Sequence, residues 1–203
     1  MEFYPVKKAV ASLAGLVLAV APLFAVENET VRKAPELAFS IPNQGQKLLS
    51  QYHGKVVALE FIFTTCPHCQ AATKVMNRLQ QEYGSRGLQV IDVAVNQNAD
   101  LLVENFAKDF QTNFPVGWTP STEMLSFMGF SMAGRYVVPQ LVLIDRNGYI
   151  HYQTPATEDE HWDSLMKEDA IRQHIEELLT LGKNSASRSH TNSARLAMAK
   201  KGS

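Results

Sequence analysis

Cysteine is scarce in this chain, with only two among 203 residues. Two cysteines are too few for the disulfide-dense scaffold of a small secreted domain, and alone they cannot complete a four-cysteine zinc site. Net charge is also small, with a formal value of −1 at pH 7. The chain has no overall positive charge of the kind that attracts nucleic acid, so we expect no nucleic-acid partner. The 45% hydrophobic content excludes a disordered or collagen-like chain.

Acidic residues are missing from the last 21 positions, which hold five lysines and arginines. Residues 27–182 carry 12 basic and 19 acidic residues, a net charge of −7. We therefore predict a main domain at 27–182 and a basic tail at 183–203. The tail has little apolar pattern, which is typical of a disordered end, and attraction to anionic lipid or an acidic partner is the alternative.

The N-terminus has the pattern of an export leader. Lys7 and Lys8 precede a mostly apolar stretch of 18 residues, 9–26. That length falls between the roughly 7–15 apolar residues of a signal peptide and the roughly 20 of a spanning helix. Residues 1–26 are therefore interpreted as a cleaved signal peptide, with an uncleaved membrane anchor or a buried core helix as alternatives. Both export interpretations place the domain in an oxidising compartment such as the periplasm.

Strand and helix patterns alternate through residues 27–182. Predicted strands lie at 35–42, 56–63, 88–95, 137–144 and 149–153, with a short extended piece at 114–116 and a turn at 145–148. Helices are predicted from the cysteines to Gly84, at 101–110 and at 122–130. A last helix is predicted to end at Gly182, with an apolar stripe formed by Ile171, Ile175, Leu178 and Leu179. This alternation predicts an α/β fold with a central mixed sheet flanked by helices.

The two cysteines form a CxxC motif, Cys66 to Cys69, where a buried strand turns into a helix. At a helix N-terminus the unpaired N–H groups and the positive end of the dipole favour the thiolate of Cys66. Cys69 lies one turn later, close enough to attack a mixed disulfide on Cys66. Pro67 suits the first helical turn, where it needs no N–H partner. His68 would add a hydrogen bond or a positive charge beside the thiolate.

The run GKVVALEFIFTTCPHCQ at 54–70 resembles the active-site region of thioredoxin-like thiol–disulfide oxidoreductases. The layout is most similar to the exported TlpA-like and ResA-like branch of the redoxin superfamily. A second match, VPQLVLIDRNG at 138–148, stands where that family carries a cis-proline opposite the CxxC. The resemblance implies a thioredoxin-like fold with an N-terminal extension and a helical insertion before the cis-proline hairpin. Pro139 is the candidate, and an ordinary trans-proline at a strand entry is the alternative.

Several roles follow from the resemblance. The CPHC sequence and Val138 before the proline resemble the DsbA-type oxidases, and Val138 would bind substrate. Glu60 stands six residues before Cys66, where thioredoxin relatives keep a buried acid that takes the proton of the second cysteine. A half-buried acid with a local partner is the alternative for Glu60. ResA-like members often place a glutamate soon after the second cysteine, and this chain has Gln70 to Thr73 instead.

The resemblance implies an enzyme that exchanges disulfides with client proteins. Its only cofactor would be the redox-active disulfide Cys66–Cys69, recycled by a membrane redox partner. His68 and Val138 favour a donor of disulfides, whereas the TlpA-like layout favours a reductant, so the direction stays open. A structural disulfide or a pair of inert thiols is the alternative interpretation of the motif.

Two alternative functions would use the same two cysteines. A peroxiredoxin-type peroxidase usually has Thr three residues before its cysteine, where this chain has Phe63. In a Sco-like copper carrier the two cysteines are separated by a longer gap. Such a carrier also has a dedicated histidine.

Other residues carry weaker signals. We expect Met124, Met128 and Met132 to pack in the core, with a hydrophobic lip or a copper(I) site as alternatives. Trp118 is a candidate for the active-site rim and for substrate binding. The histidines outside the motif are expected at the surface: His53, His151, His161, His174 and His190.

Overall fold

A computed structural model of the chain describes residues 31–181, in which eight strands form one mixed sheet. The strands are β1 (Arg32–Lys33), β2 (Ala38–Ile41), β3 (Gly45–Leu48), β4 (Val56–Ile62), β5 (Leu88–Ala94), β6 (Val116–Trp118), β7 (Gln140–Ile144) and β8 (Tyr149–Gln153). Their order across the sheet is β1-β8-β7-β4-β5-β6-β2-β3. The long apolar strand β4 therefore lies in the middle, parallel to β5 and antiparallel to β7.

Five α-helices accompany the sheet in the part of the chain that the structure describes. They are α1 (Pro67–Tyr83), α2 (Ala99–Asp109), α3 (Ser121–Met128), α4 (Glu160–Leu165) and α5 (168–181). Short 3-10 turns follow β3, at Leu49–Tyr52, and α1, at Gly84–Arg86. Within residues 31–181 no helix is both long enough and apolar enough to cross a membrane.

The sheet separates two hydrophobic cores. Residues of α1, α2 and α5 cover one face, where they pack on alternate positions of β4 and β5 such as Ala58 and Val90. Helix α3 and the N-terminal strands cover the other face, where Leu59 and Ile91 point. All seven residues of β4 are buried, as expected of a strand covered on both sides. The predicted thioredoxin-like α/β fold, with its N-terminal extension and the helical insertion before the hairpin, is confirmed.

The structure shifts or adds several elements. The extended piece predicted at 114–116 is strand β6, which begins at Val116, and the strand predicted from Val137 begins only at Gln140. Strands β1 and β3 and helix α4 were not predicted, because each has six residues or fewer and little apolar pattern. The leader at 1–26, the tail at 183–203 and the helix end at Gly182 lie outside the described residues.

Close packing joins the N-terminal extension to the sheet. Strand β2 pairs with β6 through Ser40 and Trp118. A Cβ atom on Gly117 would lie 2.7 Å from the Ser40 carbonyl oxygen and 2.8 Å from the Phe39 ring. Only glycine therefore lets the two strands approach this closely.

A buried polar pair secures the segment before β7. The Gln140 amide nitrogen donates to the carbonyl oxygens of Val137, at 2.9 Å, and of Pro155, at 3.0 Å. The Thr154 hydroxyl donates to Gln140 Oε1 at 2.6 Å and accepts from the Leu141 N–H at 2.9 Å. Both side chains are fully buried. These bonds hold residues 137–139 in place over the end of β4.

We expect Gln140→Leu to destabilise the fold by about 2–3 kcal/mol, because two carbonyl oxygens and a hydroxyl would lose their buried partner. Urea unfolding followed by circular dichroism measures the change. Gln81→Leu on the exposed face of α1 is the matched control, expected within about 0.5 kcal/mol of the wild type. Equal stability of the two variants would contradict the assigned role of Gln140.

Candidate active site

The CxxC motif lies where the chain leaves the central strand and enters α1. Cys66 is the N-cap residue of α1, and Pro67 is its first residue. The Cys66 N–H donates to the Phe63 carbonyl oxygen at 3.0 Å, and the Cys66 carbonyl accepts from the Gln70 N–H at 3.0 Å. Cys66 therefore stands at the end of the helix where N–H groups are unpaired.

Polar contacts fix the turn between β4 and α1. The Thr64 N–H donates to Asn96 Oδ1 at 2.9 Å, which links the turn to the end of β5. The Gln70 amide nitrogen donates to the Thr64 carbonyl oxygen at 3.1 Å. Sequence reasoning missed Asn96, since its role depends on two parallel strands ending at the same edge of the sheet.

The two cysteines are free thiols in very different surroundings. Cys66 is half-buried, whereas Cys69 is fully buried. Cys69 Sγ accepts a hydrogen bond from the Phe63 N–H at 3.4 Å. Burial strongly raises the pKa of the Cys69 thiol, and neighbouring Cys66 and Glu60 raise it further. The site thus combines one accessible thiol with one that needs a base before it can react.

The segment before β7 faces the accessible thiol. The Val138–Pro139 peptide bond is cis, as the resemblance implied. Cys66 Sγ lies 3.9 Å from the Val138 carbonyl oxygen, within range of a weak S–H hydrogen bond. The structure therefore brings Val138 and Pro139 together with Cys66, although they are more than 70 residues apart in the chain.

A groove of about 320 Å³ opens beside the motif. Its lining includes His68, Val75, Pro139, Trp162 and Met166. The Trp162 indole nitrogen donates to the Pro139 carbonyl oxygen at 3.3 Å. His68 is exposed at this groove. Sequence reasoning missed Trp162, because nothing in the pattern around it places it near the cysteines.

Two buried carboxyl groups lie beneath the motif. Glu60 on β4 is fully buried, and Asp92 stands directly opposite it on β5. Burial raises the pKa of Glu60 well above its usual range, and the charge of Asp92 raises it further. Burial likewise raises the pKa of Asp92 to about 7, against the effect of a hydrogen bond from Thr73. Sequence reasoning found Glu60 but not Asp92, since only strand register pairs them.

The remaining candidate residues do not line the groove beside the CxxC motif. Trp118 on β6 is half-buried against the core at the same edge of the sheet, and its predicted place at the rim stays a prediction. Met124 and Met128 are buried as expected, whereas Met132 is 62% exposed.

The other histidines do not join the motif. Those at 53 and 161 are exposed as expected, those at 151 and 174 are half-buried, and the one at 190 lies outside the described residues. Among residues 31–181 no three His, Cys, Asp or Glu side chains group as a metal site.

Comparisons with known proteins agree on a family. The Redoxin family model matches residues 30–171. The chain is 30% identical over 145 residues to the thiol-disulfide oxidoreductase ResA of Geobacillus thermodenitrificans, covering 71% of this chain and 75% of that protein. The ResA protein of Geobacillus kaustophilus is 29% identical over the same shares.

Solved structures show the same fold. A Chlorobium tepidum structure described as thiol:disulfide interchange protein DsbE has 27% identity and a TM-score of 0.59, covering 73% of this chain and 96% of that one. A second thioredoxin-family structure from Chlorobium tepidum TLS has 20% identity and a TM-score of 0.59, covering 73% and 97%. On these matches and on the geometry around Cys66, the chain belongs to the redoxin family, in its TlpA/ResA-like branch of thiol–disulfide oxidoreductases.

Proposed function

We propose that this chain exchanges disulfides with client proteins outside the cytoplasm, through Cys66 and Cys69. The observation that carries the proposal is the unequal burial of the two thiols at the start of α1. A half-exposed thiol at a helix N-terminus is suited to attack, and a buried thiol one turn later is suited to resolve. An inert structural pair of cysteines would not require one thiol to be accessible and the other buried.

Reduction of a client disulfide proceeds in two displacements. The Cys66 thiolate attacks one sulfur of the client, forming a mixed disulfide, and the other client sulfur leaves as a thiolate. Cys69 then loses its proton and attacks Cys66 Sγ. The Cys66–Cys69 disulfide forms, and the second client sulfur is released. Two electrons pass from the dithiol to the client.

Oxidation of a client is the same sequence in reverse. A client thiolate attacks Cys66 of the disulfide, and Cys69 leaves as a thiolate that must take up a proton. In both directions a proton moves at Cys69, which is sealed from solvent. We propose that Glu60 moves it, because Glu60 is a buried acid whose charge acts on the Cys69 thiol.

The client segment would bind next to the accessible thiol. The Val138 carbonyl faces Cys66, and the groove beginning at Pro139 extends from it past His68 and Trp162. We propose that an extended stretch of the client lies there, with its cysteine at Cys66. His68 would then contact the client or the thiolate from the exposed side.

Export is proposed from the leader-like pattern at 1–26, either as a cleaved signal or as an anchor. An exported enzyme of this kind needs a membrane redox partner to restore its cysteines. The midpoint potential of the pair determines the direction of exchange, since a pair well above thioredoxin's value of about −270 mV donates disulfides.

We expect Cys69→Ala to accumulate mixed disulfides on Cys66, since the first displacement can occur and the second cannot. Incubation with an oxidised, disulfide-containing protein substrate, followed by non-reducing electrophoresis and mass spectrometry, measures the adducts. Cys66→Ala is the matched control and should form none. Absence of adducts on Cys69→Ala, together with no wild-type activity on a disulfide substrate, would contradict the proposed function.

We expect Trp162→Ala to lower kcat/KM for a protein disulfide about tenfold, because an indole packed in a binding groove contributes about 1–2 kcal/mol. The rate with a small disulfide such as oxidised glutathione should fall much less, because it does not fill the groove. Leu101→Ala, at a 72% exposed position on α2, is the control. Equal losses with both substrates would show that the groove does not bind the client.

A further inference from the structure

The carboxyl groups of Glu60 and Asp92 form a pair inside the core. The two residues are register partners on the parallel strands β4 and β5, and both are completely buried. Each carboxyl acts on the pKa of the other. A hydrogen bond between the two groups requires that one of them carries a proton.

No cation balances this pair in the described part of the chain. From α1, Cys69 and Thr73 face it, and Thr73 Oγ1 donates to Asp92 Oδ2 at 2.8 Å. Every other surrounding element contributes apolar residues to this core: Val116 of β6, Leu141 of β7, Val103 and Phe106 of α2, and Ile171 and Ile175 of α5. The titratable groups that act on the pair are therefore the two carboxyls themselves, and Glu60 in turn acts on the Cys69 thiol.

Within residues 31–181, three of the four carboxyl oxygens of the pair accept no hydrogen bond from another group. Both oxygens of Glu60 and Oδ1 of Asp92 are buried without a hydrogen-bond partner among residues 31–181. Two adjacent carboxylates in an apolar site cannot both ionise, so one proton is retained between them. Placing it on Glu60 lets Glu60 donate to Asp92, whose other oxygen already accepts from Thr73. A single shared proton thus gives this pair an internal hydrogen bond.

We propose that Asp92 is a positioning residue of the thiol–disulfide centre, which by sharing one proton with Glu60 lets Glu60 both take a proton from Cys69 and return one. This inference rests on the proposed function of Cys66 and Cys69. It goes beyond that function because a lone protonated Glu60 could only give a proton, and a lone ionised Glu60 could only accept one.

The proton balance closes in both directions. When Cys69 must attack, its proton passes to Glu60 while the proton of Glu60 passes to Asp92, so the pair then holds two protons and Cys69 is a thiolate. When Cys69 is released from the disulfide as a thiolate, the pair starts with a second proton taken up from solvent, Glu60 gives Cys69 a proton, Asp92 passes its own proton to Glu60, and the pair keeps one. The pair regains its single proton by exchange with solvent during turnover.

Asp92→Asn tests the proposal, since it keeps the shape of the side chain and an oxygen for Thr73 while removing the second acid. Stopped-flow mixing with an oxidised client between pH 5 and 9 separates attack by Cys66 from resolution by Cys69. We expect resolution to slow at least tenfold at pH 7, within the usual contribution of acid–base catalysis. Attack by Cys66 should be unchanged, and the inflection of the resolution rate near pH 7 should disappear.

Thr73→Val and Tyr83→Phe complete the design. Loss of the Thr73 hydroxyl removes a bond that lowers the pKa of Asp92, so the inflection should move to higher pH. Tyr83→Phe removes a buried hydroxyl from the far end of α1, where it donates to Glu176 at 2.8 Å, and should leave the profile unchanged. A structural role alone would lower stability without moving the inflection.

If resolution in Asp92→Asn keeps the pH dependence of the wild type while attack by Cys66 is intact, the proposed role of Asp92 is overturned and the proposed function is not. Failure of the wild type to exchange any disulfide would instead overturn the proposed function, so the two failures are distinguishable.

Equilibrium unfolding provides an independent readout. The pKa of Asp92 rises from 3.8 to about 7 on folding, so below pH 4 the group is protonated in both states. As pH rises from about 4 to 7, the unfolded chain loses this proton first, and the folded state loses stability. We expect Asp92→Asn to remove that decline, becoming more stable relative to the wild type at pH 8 than at pH 4. A constant difference between the two proteins would overturn the shared proton.

Discussion

The burial of strand β4 on both faces is the constraint on which the rest of the site depends. One face carries Glu60 into the core beneath α1, and the strand ends four residues before Cys66. Because β4 has β5 on one side and β7 on the other, the same strand positions Asp92 and the cis-proline segment. The accessible thiol, its buried partner, the acid and the client-facing segment are therefore placed by one element and its neighbours.

The difference between the two thiols follows from this placement. Cys66, the N-cap residue of α1, keeps contact with the surface and lies against the Val138 carbonyl. Cys69 is rotated onto the face of α1 that packs on the sheet, so burial holds its proton in place. The chemistry of resolution thus needs a proton acceptor inside the protein, and the core provides carboxyl groups where a fold built for stability alone would place apolar side chains.

Local sequence patterns were enough to predict the central features. The apolar run of β4, the CxxC and the proline before β7 each have a signal within a few residues, and the resemblance connected them. Asp92, Asn96, Gln140 and Trp162 could not be found in this way. Their roles depend on strand register, on parallel strands ending at one edge, or on α4 folding back over Pro139. The contacts of Asp92, Asn96 and Trp162 join residues 23 to 32 positions apart, and no periodicity records them.

A redox titration of the Cys66–Cys69 pair in glutathione buffers, read by thiol alkylation and mass spectrometry, tests whether the two cysteines form a reversible redox pair. We expect one reversible two-electron transition between the dithiol and an intramolecular disulfide. That transition should be absent from Cys66→Ser. Thiols that stay reduced across the whole range, or a disulfide that strong reductant cannot open in the folded protein, would contradict it.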